Sequence, residues 1–142
     1  MADAHKPRPV YNNIHVSQIV TYRLPLAGLV SILHRISGAL MFLLLPLVVW
    51  LFDVSLTSEI SYARFSSAFI AGVGIVPAFV LKLVVLALIW AYLHHVLAGV
   101  RHLWMDVVHD VSLKQGRISA LVTLGVSGVL TVLLGARLFG LY

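Results

Sequence analysis

Three long apolar runs, residues 26–52, 77–105 and 118–138, constrain this chain more than any other feature of its sequence. Each is long enough to cross the roughly 30 Å hydrocarbon core of a bilayer as a helix. In lipid the backbone polar groups must be satisfied within the segment, which a helix does by itself. The expected class is therefore all-α: an integral membrane protein of three transmembrane helices, one domain over residues 1–142. Composition agrees, since 61% of residues are hydrophobic and 11% charged, too few charges for an ordinary soluble domain. Any soluble chemistry must then belong to partner chains. The formal net charge of +5 is not a nucleic-acid signal, because the basic residues sit beside the apolar runs, where they set orientation. Cysteine is absent, which excludes disulfides, Cys nucleophiles and thiolate-held clusters within this chain.

Residues 1–25 are mixed and polar, without the short apolar core and cleavage site of a signal peptide. Lys6-Pro7-Arg8-Pro9 is expected to be extended. The first run holds Ser31, His34, Arg35 and Ser37 in its first half, with Pro46 as a candidate kink. Residues 53–67 read as a polar loop, and residues 68–76 as an interfacial lead-in to the second span. Gly72-Val73-Gly74 lacks the rest of a phosphate-binding fingerprint. Lys82 is near enough to the end of its span to snorkel. In the third run, Ser127, Thr131 and Gly135 form a small-residue stripe suited to close helix contact. Basic residues flank the N-terminal segment (Lys6, Arg8, Arg23) and the second loop (Lys114, Arg117). They place the N-terminus in the cytoplasm and the C-terminus outside.

The apolar second run acquires ionisable groups at His94, His95, Arg101, His102 and Asp106. On a helix, His95, Gly99, His102 and Asp106 share one face. Ionisable groups at membrane depth are costly unless they face a bundle interior, a cavity or a cofactor. His34 lies about 14 Å in from Pro25, and His95 about 16 Å from Asp106, at the helical rise. The polar groups of two antiparallel helices thus meet at one level. His95 reads either as a haem ligand or as a buried histidine bonded to a backbone carbonyl, with Gly99 letting something flat approach the backbone. His94 points about 100° away and is less suited. Arg35 and His34 could hold haem propionates; the alternative for Arg35 is a salt bridge to Asp106. Ser31 and Arg35, one turn apart, could hold and polarise a quinone carbonyl; the alternative for Ser31 is a bond back to its own helix. Arg101 and His102 read as snorkelling anchors or functional groups. His5, His15 and His109 receive no role.

Arg8-Pro9, the run Ser31-Ile-Leu-His34-Arg35-Ile-Ser-Gly38, and His95-x3-Gly99-x-Arg101-His102-x3-Asp106 together resemble the cytochrome b556 subunits of succinate dehydrogenase, over about two thirds of the chain. The resemblance implies one of two membrane anchors of respiratory complex II in a bacterial inner membrane, bundled with a second anchor subunit. It implies that His95 is an axial ligand to a single haem b, whose other axial histidine comes from that second anchor. It implies His34 and Arg35 near the haem propionates, Ser31 and Arg35 in the ubiquinone pocket, and Asp106 near its end. Covalent FAD and the iron–sulfur clusters would belong to a flavoprotein and an iron–sulfur subunit. Four alternatives remain open on the residues alone. They are a haem-free scaffold or assembly subunit, a fumarate reductase-type anchor, a small transporter using His102 and Asp106, and coordination by His34 and His95 of this one chain.

Overall fold

A computed structural model of the chain describes residues 15–109 and 112–142. The extended reading of Lys6–Pro9 and the Arg8-Pro9 part of the motif lie outside the described residues. Five helices follow one another: α1 Val16–Thr21, α2 Leu26–Thr57, α3 Glu59–Ala71, α4 Ala78–Val108 and α5 Leu113–Leu138. As expected, α2, α4 and α5 are each long and apolar enough to cross a membrane.

The boundaries follow from local chemistry. Pro25, in extended backbone, opens α2 and its carbonyl accepts the Leu29 N–H at 3.0 Å. The helix runs on through Pro46 and past the apolar stretch to Thr57. There the hydroxyls of Ser55 and Thr57 bond back to the carbonyls of Phe52 and Asp53, both at 2.7 Å. The polar segment expected as a loop over 53–67 is therefore mostly helical. Its one break is Ser58, extended at φ −162°, which forms a reciprocal cap with Ser61. Ser58 Oγ accepts the Ser61 N–H at 3.1 Å, and Ser61 Oγ accepts the Ser58 N–H at 3.0 Å. Glu59 adds a negative charge at the positive end of α3. Polarity here marks a helix start, not a loop.

Gly72 ends α3 at φ +89°, and its N–H bonds Ala68 O at 3.0 Å. A Cβ on Gly72 would run into the Val76 carbonyl oxygen, so only glycine closes this turn. Val73 and Val76 then exchange two N–H···O bonds of 2.9 Å, and Pro77 opens α4. At the far end, His109 takes the left-handed conformation (φ +53°) and bonds Met105 O at 3.1 Å. Ser112 caps α5 by accepting the Gln115 N–H at 3.4 Å, which starts that helix ahead of the apolar run.

α4 packs between α2 and α5, and α3 lies against α2 and α4. The three long helices meet where Val30, Ala98 and Ala120 are fully buried, with Leu26, Ala27 and Leu124 against them. Small side chains let backbones approach closely, the main source of helix association where the solvent is itself apolar. The expected small-residue stripe of α5 behaves the same way. Ser127 and Gly135 are buried, and a Cβ on Gly135 would lie 2.8 Å from Leu86 Cδ1 of α4. Large side chains point outward instead, Phe42 and Leu43 being about three-quarters exposed at 76% and 73%. That inversion suits lipid and partner helices and would be an aggregation liability in water.

Candidate functional site

Ser37 and Gly38 of α2 meet His95 of α4, while His34 reaches the later His102, so the two helices run antiparallel here. His34 is sandwiched. Its ring stacks on His95 with centroids 4.1 Å apart and planes 28° from parallel. On its other side His102 lies at 5.2 Å and 24°. Gly99 sits beside the same ring, as the i, i+4, i+7 spacing of His95, Gly99 and His102 requires. The expected meeting of polar groups from two helices is thus present.

His95 Nδ1 lies 3.1 Å from the His34 carbonyl oxygen and 3.3 Å from Ser37 Oγ. The Ser37 hydroxyl donates to that same carbonyl at 2.9 Å. A carbonyl only accepts, so this bond fixes the neutral ring with its proton on Nδ1 and its lone pair on Nε2. No described residue partners Nε2. His102 is fixed likewise, with Nδ1 2.7 Å from Ala98 O. Gly38 makes the approach possible: a Cβ there would lie 2.8 Å from His95 Cε1 and 3.3 Å from Nδ1. Gly99 is under no such pressure, since its Cβ would meet only His34 Nε2, at 3.8 Å. Ser37 is a contributor that the sequence reading left without a role. Its signal was present, since it stands one residue before the glycine that faces His95.

The doubled histidine separates cleanly. His94 is fully buried, stacked on Trp90 at 5.4 Å, and neither ring nitrogen has a partner. It is closed off inside this chain, whereas His95 is half-buried and can be reached from outside. His34 and His95 stack face to face, an arrangement that does not present both rings to one metal ion in this structure. Among the described residues no group of three or more His, Asp or Glu side chains could hold a metal ion either.

Ser31 is half-buried and makes no hydrogen bond to its own helix, unlike Ser37. Arg35 and Asp106 are exposed, and no ion pair joins them, so the Arg35–Asp106 salt bridge is absent. Arg101 is neither a snorkelling anchor nor part of this cluster. It is 7% exposed and clamps α4 to α5, its Nε donating to Ser119 Oγ at 2.9 Å and Nη2 to Gly116 O at 3.4 Å.

The family model of the succinate dehydrogenase/fumarate reductase transmembrane subunit matches residues 5–134, which include every residue of this cluster. The chain belongs to that family. Among individual members, it is 31% identical over 134 residues to a Paracoccus denitrificans protein named succinate dehydrogenase cytochrome b556 subunit, covering 94% of each chain. A Coxiella burnetii protein of the same name is 34% identical over 117 residues, 82% of this chain and 89% of the relative. One from Rickettsia felis is 27% identical over 126 residues, 88% and 93% of the two chains. The resemblance carried by the Ser31–Gly38 and His95–Asp106 stretches is borne out at the level of the family. This transmembrane subunit is a multi-pass membrane protein whose helices α2 and α4 bring the rings of His34, His95 and His102 together.

Proposed function

We propose that this chain is a haem b-bearing membrane anchor of succinate:ubiquinone oxidoreductase that helps form the site of ubiquinone reduction. The observation that carries the reading is the tethering of His95: Nδ1–H is held by the His34 carbonyl and Nε2 is left with a lone pair and no protein partner. Metal-bound histidines are oriented in this way, the second nitrogen donating to a carbonyl or carboxylate. Gly99, which the protein's own packing does not demand, leaves the α4 backbone bare for a flat group. The residues therefore fit a haem that His95 would hold together with a histidine of a second anchor subunit. His34 and Arg35 would hold its propionates. A bound haem b supplies a one-electron store next to the quinone.

The chain's own work at the quinone is hydrogen bonding and electrostatics. The Ser31 hydroxyl, free of its own helix, donates to a quinone carbonyl oxygen. Arg35, a fixed cation one turn on, stabilises the charge that develops as that oxygen is reduced. Asp106, exposed and unpaired, delivers a proton at the same end. Succinate oxidation would lie in a flavoprotein with covalent FAD and an iron–sulfur subunit, with this chain in a bacterial inner membrane, N-terminus cytoplasmic and C-terminus periplasmic. A fumarate reductase-type anchor would use the same residues, the direction being set by the quinone.

The test is the reduced-minus-oxidised spectrum of the purified complex, taken again after His95→Ala. Loss of the b-type signal with the subunits still co-purifying supports the assignment. An unchanged signal removes it and leaves a haem-free scaffold.

A further inference from the structure

Away from the histidine cluster, α4 and α5 enclose a groove of about 660 Å³. Leu97, Val100 and Trp104 form its α4 wall, and Ile118, Val122 and Val126 its α5 wall. The α5 wall repeats every four residues and runs about 12 Å at the helical rise. One end of this apolar trough is cationic. Arg101 lines it from within and Lys114 from the rim, beside the N-terminal, positive end of α5. Among the described residues no acidic side chain lines it.

Arg101 is the informative residue. It is 93% buried by its 7% exposure, between two helices that cross a membrane, and no carboxylate among the described residues pairs with it. Ser119 and Gly116 take up Nε and Nη2. Nη1 has no described partner and is not sealed from the surface. Two neutral acceptors do not offset the desolvation of a buried guanidinium, which favours an anion within reach. The occupant must therefore combine an anionic head with an apolar tail. A free inorganic anion would leave the walls unfilled, and a quinone would leave the cations unpaired.

We propose that this groove binds one anionic phospholipid, its phosphate against Arg101, Lys114 and the start of α5, and an acyl chain between the α4 and α5 walls. Basic pockets between membrane helices recognise such headgroups. A protein helix is the weaker fit. Leu97, Val100 and Trp104 lie about 140–180° around α4 from His95, so on the reading of His95 given above a second anchor subunit approaches the other side of the helix.

The experiment is quantitative mass spectrometry of lipid retained by the complex purified in a non-ionic detergent. The wild type is expected to retain about one phosphatidylglycerol or cardiolipin per copy of this chain in preference to zwitterionic lipid. Lys114→Gln, at an exposed position, should weaken retention about fivefold, and Arg101→Gln more than tenfold. Because Arg101→Gln also removes a helix clamp, Val122→Trp serves as the second variant: it keeps both cations and fills the trough, and it should expel the lipid. Equal retention in Val122→Trp and wild type overturns the proposal. So does retention of zwitterionic lipid alone. A delipidated complex stabilised as well by inorganic phosphate as by phosphatidylglycerol vesicles would mean an anion site without a lipid, and also overturns it. A complex without haem that kept its lipid would end the His95 reading and leave this one intact.

Discussion

Replacing Gly38 with alanine tests the tether on His95. The added methyl would lie 2.8 Å from His95 Cε1, where carbon atoms pack best at about 3.5 Å or more. The ring must therefore retreat by about 0.7 Å, or α2 and α4 must part by that much. If the ring recedes along the same direction, its 3.1 Å bond to the His34 carbonyl stretches to about 3.8 Å, beyond hydrogen-bond range. Overpacking costs about 1–3 kcal/mol, and alanine recovers about 1 kcal/mol over glycine inside a helix. Net stability should thus fall by no more than about 2 kcal/mol. Loss of an outer-shell bond to a ligating histidine lowers metal-group affinity about 10–100-fold. The expected outcome is a complex that assembles with a modestly lower Tm but loses haem rapidly to excess apomyoglobin. Gly99→Ala is the companion. The protein has room for its methyl at 3.8 Å from His34 Nε2, so the haem-free chain should be as stable or slightly more so, while haem loading falls. A Gly38→Ala complex that holds haem as long as the wild type, with an unaltered spectrum, would refute the tether as the orienting device.

Four further outcomes can be checked separately. Ser31→Ala and Arg35→Gln should slow ubiquinone reduction about 10-fold or more while succinate oxidation by an artificial acceptor persists; equal loss of both activities would indicate failed assembly. His94→Phe should leave the haem spectrum intact and hold or raise Tm, because the histidine buries two nitrogens without partners at a cost of about 1–3 kcal/mol; a fall in Tm of several degrees would contradict this. Gly135→Ala drives a methyl to 2.8 Å from Leu86 Cδ1 and should lower Tm, with Leu86→Ala restoring part of the loss; no rescue would mean that the α4–α5 contact is looser than described. Ser58→Ala removes a reciprocal cap and should destabilise α3 by about 1 kcal/mol, read as faster amide exchange in its first turn.

The three membrane helices were legible because length and apolarity alone determine them. Their ends were not. Apolar runs stop where lipid contact stops, but a helix stops where its backbone is capped. Ser55 and Thr57 carry α2 beyond its apolar segment, and Ser112 starts α5 before its own begins. The same bias turned residues 53–67 into a loop. The reciprocal Ser58–Ser61 cap is hard to see in sequence, because the commoner signature has a longer side chain at the third position.

At the site, helical phase did most of the work. A spacing of four and then three residues was enough to put His95, Gly99 and His102 on one side of α4 and to give His34 its place between two rings. Phase could not reveal what each neighbour does. His94 and His95 are one residue and about 100° apart, yet one is enclosed against Trp90 and the other keeps an accessible nitrogen. Nothing in the pair itself distinguishes them; the packing does, since α2 brings the His34 carbonyl and Gly38 to His95 while His94 is enclosed against Trp90. Arg101 carries the same lesson in reverse. Its position near the end of a span suggested an anchor reaching for water, but the groups that fix it, Ser119 and Gly116, stand on a helix about fifteen residues further on. A charge in a membrane helix is placed by whatever donor or acceptor the next helix brings to it. For that reason His95 Nε2, which no described residue of this chain reaches, is the atom that a group from outside the chain would satisfy.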